Sequence, residues 1–317
     1  MQNMNGCLIL AYNEESFIKN TIQEVSNLFD LIIVVNDCST DNTKLVIKEM
    51  NLDNVKTINN PKNFGAGKSM EIGLKAFLDT DVKHIVKIDG DGQFKIKDIT
   101  TLDDLGKQKY DFVKGDRFWE NGIEGNIPTI RYIGNAFATL LIKISTGNWK
   151  INDPLNGLFL FSKKSIEFFT LPKLFYKYGY PFYLNVHMNS MIINKNYKNA
   201  QIKNTIKYRH EKSRLRPSVM FVKLLYFSLR SFTKKIFIKF KYSDLQISAI
   251  LDTLFLLFTS FTLYSAIRLL LINLDYIKGS KASWLFLTIL MFFTGLFSFG
   301  YSQDYERKIY EDKFTVL

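Results

Sequence analysis

Short apolar runs bounded by polar turns recur along the first hundred positions: Cys7 to Ala11, Leu31 to Asn36, Val55 to Ile58 and His84 to Ile88. Between them, Glu15 to Leu28, Asn42 to Met50 and Ala66 to Leu78 are too long and too polar to be strands and read as helices. Strand and helix in alternation predict a mostly parallel, Rossmann-like α/β sheet covered by helices. Ligands of such sheets bind beyond the C-terminal ends of the strands. The residues expected there are Tyr12-Asn13-Glu14-Glu15, Asp37-Cys38-Ser39-Thr40-Asp41 and Asp89-Gly90-Asp91-Gly92-Gln93.

The last third has a different texture. Thr253 to Ile267 carries no charge and is bracketed by Asp252 and Arg268, which are placed to snorkel toward headgroups. Ala282 to Gln303 is again uncharged and rich in Leu, Phe and Trp, long enough to cross ~30 Å of hydrocarbon. A short polar link, Asn273 to Lys281, joins them, which predicts a transmembrane hairpin returning to its starting side. Two buried core helices are the plainer reading, but both segments are apolar on every face.

Charge sharpens this division. The chain has 42 Lys and Arg against 30 Asp and Glu, a net +12, and residues 207 to 241 alone hold eleven basic residues against Glu211. Within Val219 to Lys241, Lys223, Arg230, Lys234 and Lys241 fall on one helical face, with Phe221, Leu224, Leu225, Phe232 and Ile236 on much of the rest. A basic amphipathic helix beside an apolar hairpin is expected to lie in an anionic membrane interface. A nucleic-acid site has no reason to precede two spans, so no nucleic-acid partner is expected. The basic flank places the N-terminal region on the cytoplasmic side. The segment before Cys7 lacks a basic leader region, and the chain reads as beginning in the cytosol. Two cysteines, Cys7 and Cys38, make neither a disulfide framework nor a zinc site.

The candidate chemistry follows from the strand ends. Asp89 and Asp91 sit two apart, with Gly90 and Gly92 permitting a tight turn, and paired carboxylates of this kind suit Mg²⁺ or Mn²⁺ when phosphates complete the shell. The same run also reads as a simple surface turn, and Asp37 as an Asx-turn or helix cap. Gly65 to Ser69 is not a P-loop, because the Walker spacing would need glycine where Lys62 stands. His84, His187 and His210 all lie away from the carboxylate-bearing strand ends.

Taken in order, LILAYNEE (Leu8 to Glu15), VVNDCSTDNT (Val34 to Thr43), NFGAGKSMEIGL (Asn63 to Leu74) and KIDGDGQF (Lys87 to Phe94) closely resemble glycosyltransferase family 2 enzymes of the GT-A fold. KGDRF (Lys114 to Phe118), RYIGN (Arg131 to Asn135) and NDPLNGLFLF (Asn152 to Phe161) look like its polyprenyl-phosphate hexosyltransferase branch, which includes dolichol-phosphate mannose synthase. The resemblance covers about residues 6 to 216. It implies that Ala11, Tyr12, Glu14, Asp37 and Asp89 hold the nucleotide, and that Asp89, Asp91 and Gln93 gather the metal. It implies that Arg117, Arg131, Asn135, Arg209 and Ser213 receive the acceptor phosphate, and that Asp153, Asn156 and Gly157 close against the sugar or acceptor. Asp89, Asp91, Arg117 and Arg131 would be the catalytic set.

The expected organisation is a catalytic domain over 1–210, a basic interfacial segment over 211–242, a hairpin over 243–303 and a cytoplasmic tail over 304–317. The expected activity is metal-dependent, inverting transfer of a hexose from a nucleoside diphosphate sugar, of the GDP-mannose or UDP-glucose type, to a polyprenyl phosphate. The enzyme would be integral to a lipid membrane with its catalytic domain facing the cytoplasm, and the hairpin offers a surface for homo-oligomers. A transferase acting on another lipid-linked saccharide is the competing enzyme reading, and a non-enzymatic scaffold that binds no nucleotide sugar is the competing class. A processive synthase is disfavoured, since Trp119, Trp149 and Trp284 each lack the preceding Arg such enzymes carry.

Overall fold

The structure, a computed structural model, describes residues 4–119, 122–124, 127–167, 169–207, 217–242 and 245–317. The first half runs β1 (Asn5–Ala11), α1 (Ile18–Ser26), β2 (Leu31–Asn36), α2 (Thr43–Glu49), β3 (Val55–Asn59), α3 (Ala66–Ala76), β4 (His84–Asp89), α4 (Ile96–Lys107) and β5 (Phe112–Asp116). Then come β6 (Ile123–Glu124), α5 (Thr129–Thr146), β7 (Phe159–Ser162), α6 (Lys163–Ile166), α7 (Tyr180–Lys195), β8 (Asn199–Lys203) and β9 (Ile206–Lys207). The last third holds α8 (Pro217–Lys239), α9 (Gln246–Asn273), α10 (Lys281–Lys313) and β10 (Phe314–Val316).

The four strands read from the first hundred residues are β1 to β4, and they form half of an eight-stranded sheet ordered β10-β8-β5-β7-β4-β1-β2-β3. Every pairing is parallel except those of β7 with β4 and β5. Side chains alternate between two buried faces, as a sheet covered on both sides requires. Leu8, Leu10, Ile33 and Val35 point to one core layer, whereas Cys7, Ile9, Ile32 and Val34 point to the other. The chain builds β1, β2 and β3 outward, then crosses back to place β4 on the other side of β1. The strand order reverses at β1, and a crevice opens at such a switch point. Register brings the ends level there: Leu10 pairs with Asp89, and Ala11 with Asn36.

Both C-terminal helices are long and apolar enough to cross a membrane, over Gln246–Asn273 and Lys281–Lys308, and only 11% of each apolar window is buried. That exposure disfavours the buried-core reading. The bracketing residues behave differently from a snorkelling pair. Asp252 is fully buried, paired with Lys239 and, at 3.8 Å, with Lys235. Glu306 joins both lysines, and Ser302 donates to Asp252 at 2.5 Å. Two cations and two carboxylates thus bolt α8 to the adjacent ends of α9 and α10. Arg268 instead lies over the Trp284 ring at 5.3 Å. Gly147 ends α5 in a left-handed conformation (φ 78°), and any side chain there would collide with Glu306.

Residues 304–317, expected as a tail, are the last turns of α10 followed by β10, which pairs with β8 at the sheet edge. Tyr310 and Phe314 are buried in the core layer that also holds Phe112 and Phe159. Lys150 reaches the carbonyls of Tyr310, Glu311 and Phe314, the favourable place for a cation at a helix C-terminus.

Candidate active site

Two loops leaving the sheet at the crevice are laced together. Asn13, in a left-handed conformation, accepts the Thr40 N–H at 2.8 Å, and its own N–H donates to Ser39. The Glu14 N–H donates to Thr43, and Glu15 accepts from Asn42. This lacing holds Ala11 at the strand end and leaves Tyr12 37% exposed on the rim.

Asp37 is turned inward. It is 3% exposed, and its carboxylate accepts from Asn60 Nδ2, the Phe64 N–H and the Gly65 N–H at 2.7 to 2.9 Å. It clamps the loop that starts α3 and is neither a local Asx-turn nor the cap of the helix beginning near Asp41. Its partners lie 23 to 28 residues further on, beyond the reach of a local motif.

Asp89 ends β4 with its side chain one-third exposed. Its Oδ1 is 2.6 Å from Lys87 Nζ, which also donates to the Gly157 carbonyl and the Tyr180 hydroxyl, each at 2.9 Å. Lys87 is fully buried, and burial opposes its charge, but Asp89 and Tyr180 outweigh that and hold the ammonium above its ordinary pKa. Asp89 Oδ2 faces Gly157, where a side chain would approach within 2.8 Å. Asp91 accepts the Gln93 N–H at 3.1 Å, the turn expected of an Asp-Gly-Asp-Gly run.

The loop carrying Gly157 links Asp89 to the end of β5. Asp153, 1% exposed and left-handed at φ 43°, accepts the Arg117 N–H at 3.1 Å and pairs with its guanidinium. Asn156 donates to Asp153 at 3.1 Å and to Asn204 at 2.8 Å. Lys114, buried behind them, donates to the Asn152 carbonyl, and burial, only partly offset by Asp153 and Asp116, lowers its pKa to about 8. Phe118 packs edge-on against Tyr132 at 5.6 Å, which sets the start of α5, with Arg131, next to Arg117. Asn135 lies one turn on from Arg131 and is buried, its Oδ1 without a hydrogen-bond partner among the described residues.

The structure therefore brings Asp89, Gly157, Asn156, Asp153 and Arg117 into one connected constellation, with Arg131 and Asn135 on the adjoining helix. Tyr12 and Glu14 stand on the rim. Arg209 and Ser213 lie outside the described residues. Lys87, Tyr180, Asn60 and Asn204 were not singled out by sequence. The signal for Lys87 was present in retrospect: a lysine two before Asp89 shares its face of a strand.

Among the described residues no three His, Cys, Asp or Glu side chains converge. Asp89 and Asp91 nonetheless fit a hard divalent cation whose shell is completed by phosphate and water oxygens. Oδ1 of Asp89 is fixed by Lys87, and the glycine opposite Oδ2 leaves space that a side chain would fill.

A UDP-N-acetylglucosamine–dolichyl-phosphate N-acetylglucosaminyltransferase of Methanococcus voltae is 30% identical over 179 residues, covering 50% of this chain and 70% of that protein. An uncharacterized protein of Methanocaldococcus jannaschii is 36% identical over 143 residues, 44% of this chain and 60% of its own length. Among solved structures, GalNAc-T7 with UDP, GalNAc and Mn²⁺ gives a TM-score of 0.49 at 14% identity, over 77% of this chain and 51% of that one. S. aureus TarS 1-349 gives 0.41 at 14%, over 96% and 91%. The glycosyl transferase family 2 model matches residues 7–169, slightly more than half of the chain, and the protein belongs to that family.

Proposed function

We propose that the protein transfers one hexose, or its N-acetylamino form, from a nucleoside diphosphate sugar to a polyprenyl phosphate at the cytoplasmic membrane face. The observation that carries this reading is the position of Arg117 and Arg131. Phe118, next to Arg117, packs on Tyr132, next to Arg131, and the same helix α5 exposes Ile130, Ile133 and Leu140, while α8, packed along it, exposes Val222, Leu225 and Leu229. In this reading a lipid phosphate carried in along those apolar residues is received by the two cations. The dolichyl-phosphate activity of the Methanococcus voltae relative supports the same acceptor class.

In this reading the nucleoside sits on the rim formed by Ala11, Tyr12 and Glu14, and Asp37 shapes that rim by fixing the start of α3. Asp89, Asp91 and Gln93 would hold Mg²⁺ or Mn²⁺ beside the donor diphosphate. A bound cation there supplies Lewis-acid stabilisation of the departing diphosphate. Arg117, its plane set by Asp153, and Arg131 orient the acceptor phosphate. A phosphomonoester is largely dianionic at neutral pH, with a second pKa near ~6, so its oxygen attacks the anomeric carbon without a general base. The bond from that carbon to the diphosphate breaks as the new one forms, and in-line displacement inverts the centre. Asn156 and Gly157 close the loop against the sugar.

The test is a panel of labelled nucleotide sugars offered with polyprenyl phosphate in detergent. One donor is expected to put label into an organic-extractable product, Asp91→Ala and EDTA are expected to abolish it, and Asp91→Ala is expected to keep the wild-type Tm. Absence of transfer from every donor, or full activity of Asp91→Ala, overturns the assignment.

A further inference from the structure

A cavity of about 220 Å³ lies between the last turn of α5, α7, the second half of α8 and the end of α10. Fifteen residues of α5 separate Thr146 at this cavity from Arg131. At 1.5 Å per residue that is about 22 Å, so the cavity is distinct from the proposed transfer site. Its polar lining includes Arg230, Ser231 and Lys234 from α8, His187 and Ser190 from α7, and Tyr310 from α10. No Asp or Glu lines it among the described residues.

The charge balance is uneven. Lys235 in the wall is neutralised by Glu306 and Asp252. Arg230 and Lys234 are exposed at the mouth and make no ion pair among the described residues. His187, which also lines the cavity, is held neutral, its pKa lowered to about 4 by burial and then by Lys234.

The position of the cavity identifies what this charge faces. Lys235 ties the wall to the ends of both apolar helices, and Tyr310 follows the apolar segment of α10, which ends at Lys308. If the hairpin spans the bilayer, as the proposed function has it, the cavity lies at headgroup depth on the side of the catalytic domain. Phe237, one turn beyond Lys234 and 73% exposed, offers apolar surface next to the mouth.

We propose that this cavity binds the phosphate headgroup of one anionic bilayer phospholipid, held between Arg230 and Lys234, with its acyl chains passing Phe237. The basic face of α8 thereby has a discrete lipid site as well as a diffuse attraction to the membrane.

The experiment is native mass spectrometry of the full chain in detergent with phosphatidylglycerol or phosphatidylcholine added at low ratio. One phosphatidylglycerol should be retained in preference to phosphatidylcholine. Arg230→Gln/Lys234→Gln should weaken that retention roughly 30-fold, since each cation near an anionic headgroup contributes about a factor of five. The double variant Lys241→Gln/Lys308→Gln removes equal charge at the same end of the helices but outside the cavity, and should retain the lipid. Lys234→Arg should retain it too. Equal loss in both double variants would mean diffuse attraction and overturn the site. Displacement by millimolar inorganic phosphate would make it a soluble-anion site, and displacement by equimolar short-chain prenyl phosphate would make it a second acceptor site; either overturns the proposal. Failure of the spanning reading shows separately, as release of the wild-type protein from membranes by high salt, and would remove the headgroup placement with it.

Discussion

Gly157→Ala isolates the geometry of Asp89 from the stability of the fold. The added methyl would lie 2.8 Å from Asp89 Oδ2 and 3.4 Å from Lys87 Nζ. An ordinary contact begins near 3.4 Å, so the carboxylate must yield about 0.6 Å. It is not free to swing, because Oδ1 is already 2.6 Å from a buried lysine that is itself fixed by Gly157 and Tyr180. Gly157 is not among the glycines with positive φ, so alanine meets no backbone strain there. Replacing glycine at a compatible position gains about 0.4–1 kcal/mol through the unfolded state, and Tm should change little. Misplacement of a reacting group by ~1 Å costs about a hundredfold in rate, so a shift near half that predicts roughly a tenfold or greater loss of kcat. The half-saturating Mg²⁺ or Mn²⁺ concentration should rise with it. Initial rates of labelled sugar entering the organic phase, measured across a metal titration and paired with Tm, give the result. A stable variant with wild-type kcat and unchanged metal dependence would show that Asp89 Oδ2 does not face the reaction.

Three further outcomes are expected. His187 has a native pKa of about 4 against an ordinary 6.5, so between those values the unfolded chain binds a proton that the native protein does not. Stability should therefore fall as pH drops through that window, by about 3 kcal/mol at its lower end. His187→Phe, which can keep the packing against Tyr183 and Phe169, should flatten the urea midpoint between pH 6.5 and 4, and an unchanged slope would refute the attribution. Deleting 243–317 should lower Tm sharply, because it strips Tyr310, Phe314 and β10 as well as the apolar helices. Replacing only 254–300 with a short Gly/Ser turn should keep nucleotide-induced stabilisation while making the protein extractable by salt; loss of that stabilisation would put the membrane-length portions of α9 and α10 inside the folding unit.

What the sequence made legible was whatever depends on local period. β1 to β4 announce themselves as apolar runs, and their ends carry Tyr12, Asp37 and Asp89, so the crevice could be located before any long-range contact was known. Local pattern does not reveal the partner of a charge. Asp37 stands at a strand end like Asp89, yet it faces Asn60, Phe64 and Gly65 because α3 folds back over β2; only the tertiary path separates the one-third-exposed Asp89 carboxylate from a buried clamp. Lys87 interrupts an apolar strand and looks anomalous until Tyr180 and Gly157, some 70 to 93 residues later, close over it.

The same limit operates at the C-terminal helices, with a consequence for how the enzyme is built. Lys235 and Lys239 belong by sequence to a solvated basic run, and Asp252 to the edge of an apolar helix, yet together with Glu306 they form a buried neutral cluster. An ion pair removed from water offers uncertain net stability, but breaking one leaves a buried charge and costs about 3–5 kcal/mol, so such a cluster tolerates little displacement of its helices. α8 is packed along α5, with Phe137 stacked on Phe221 at 4.4 Å, and α5 carries Arg131. The apolar helices are therefore joined to the candidate acceptor site by packed elements, with β10 returning the chain to the sheet as a second attachment. If the acceptor is held in the bilayer, as proposed, that rigidity would set the height of Arg117 and Arg131 above the membrane, which a flexible tether could not do.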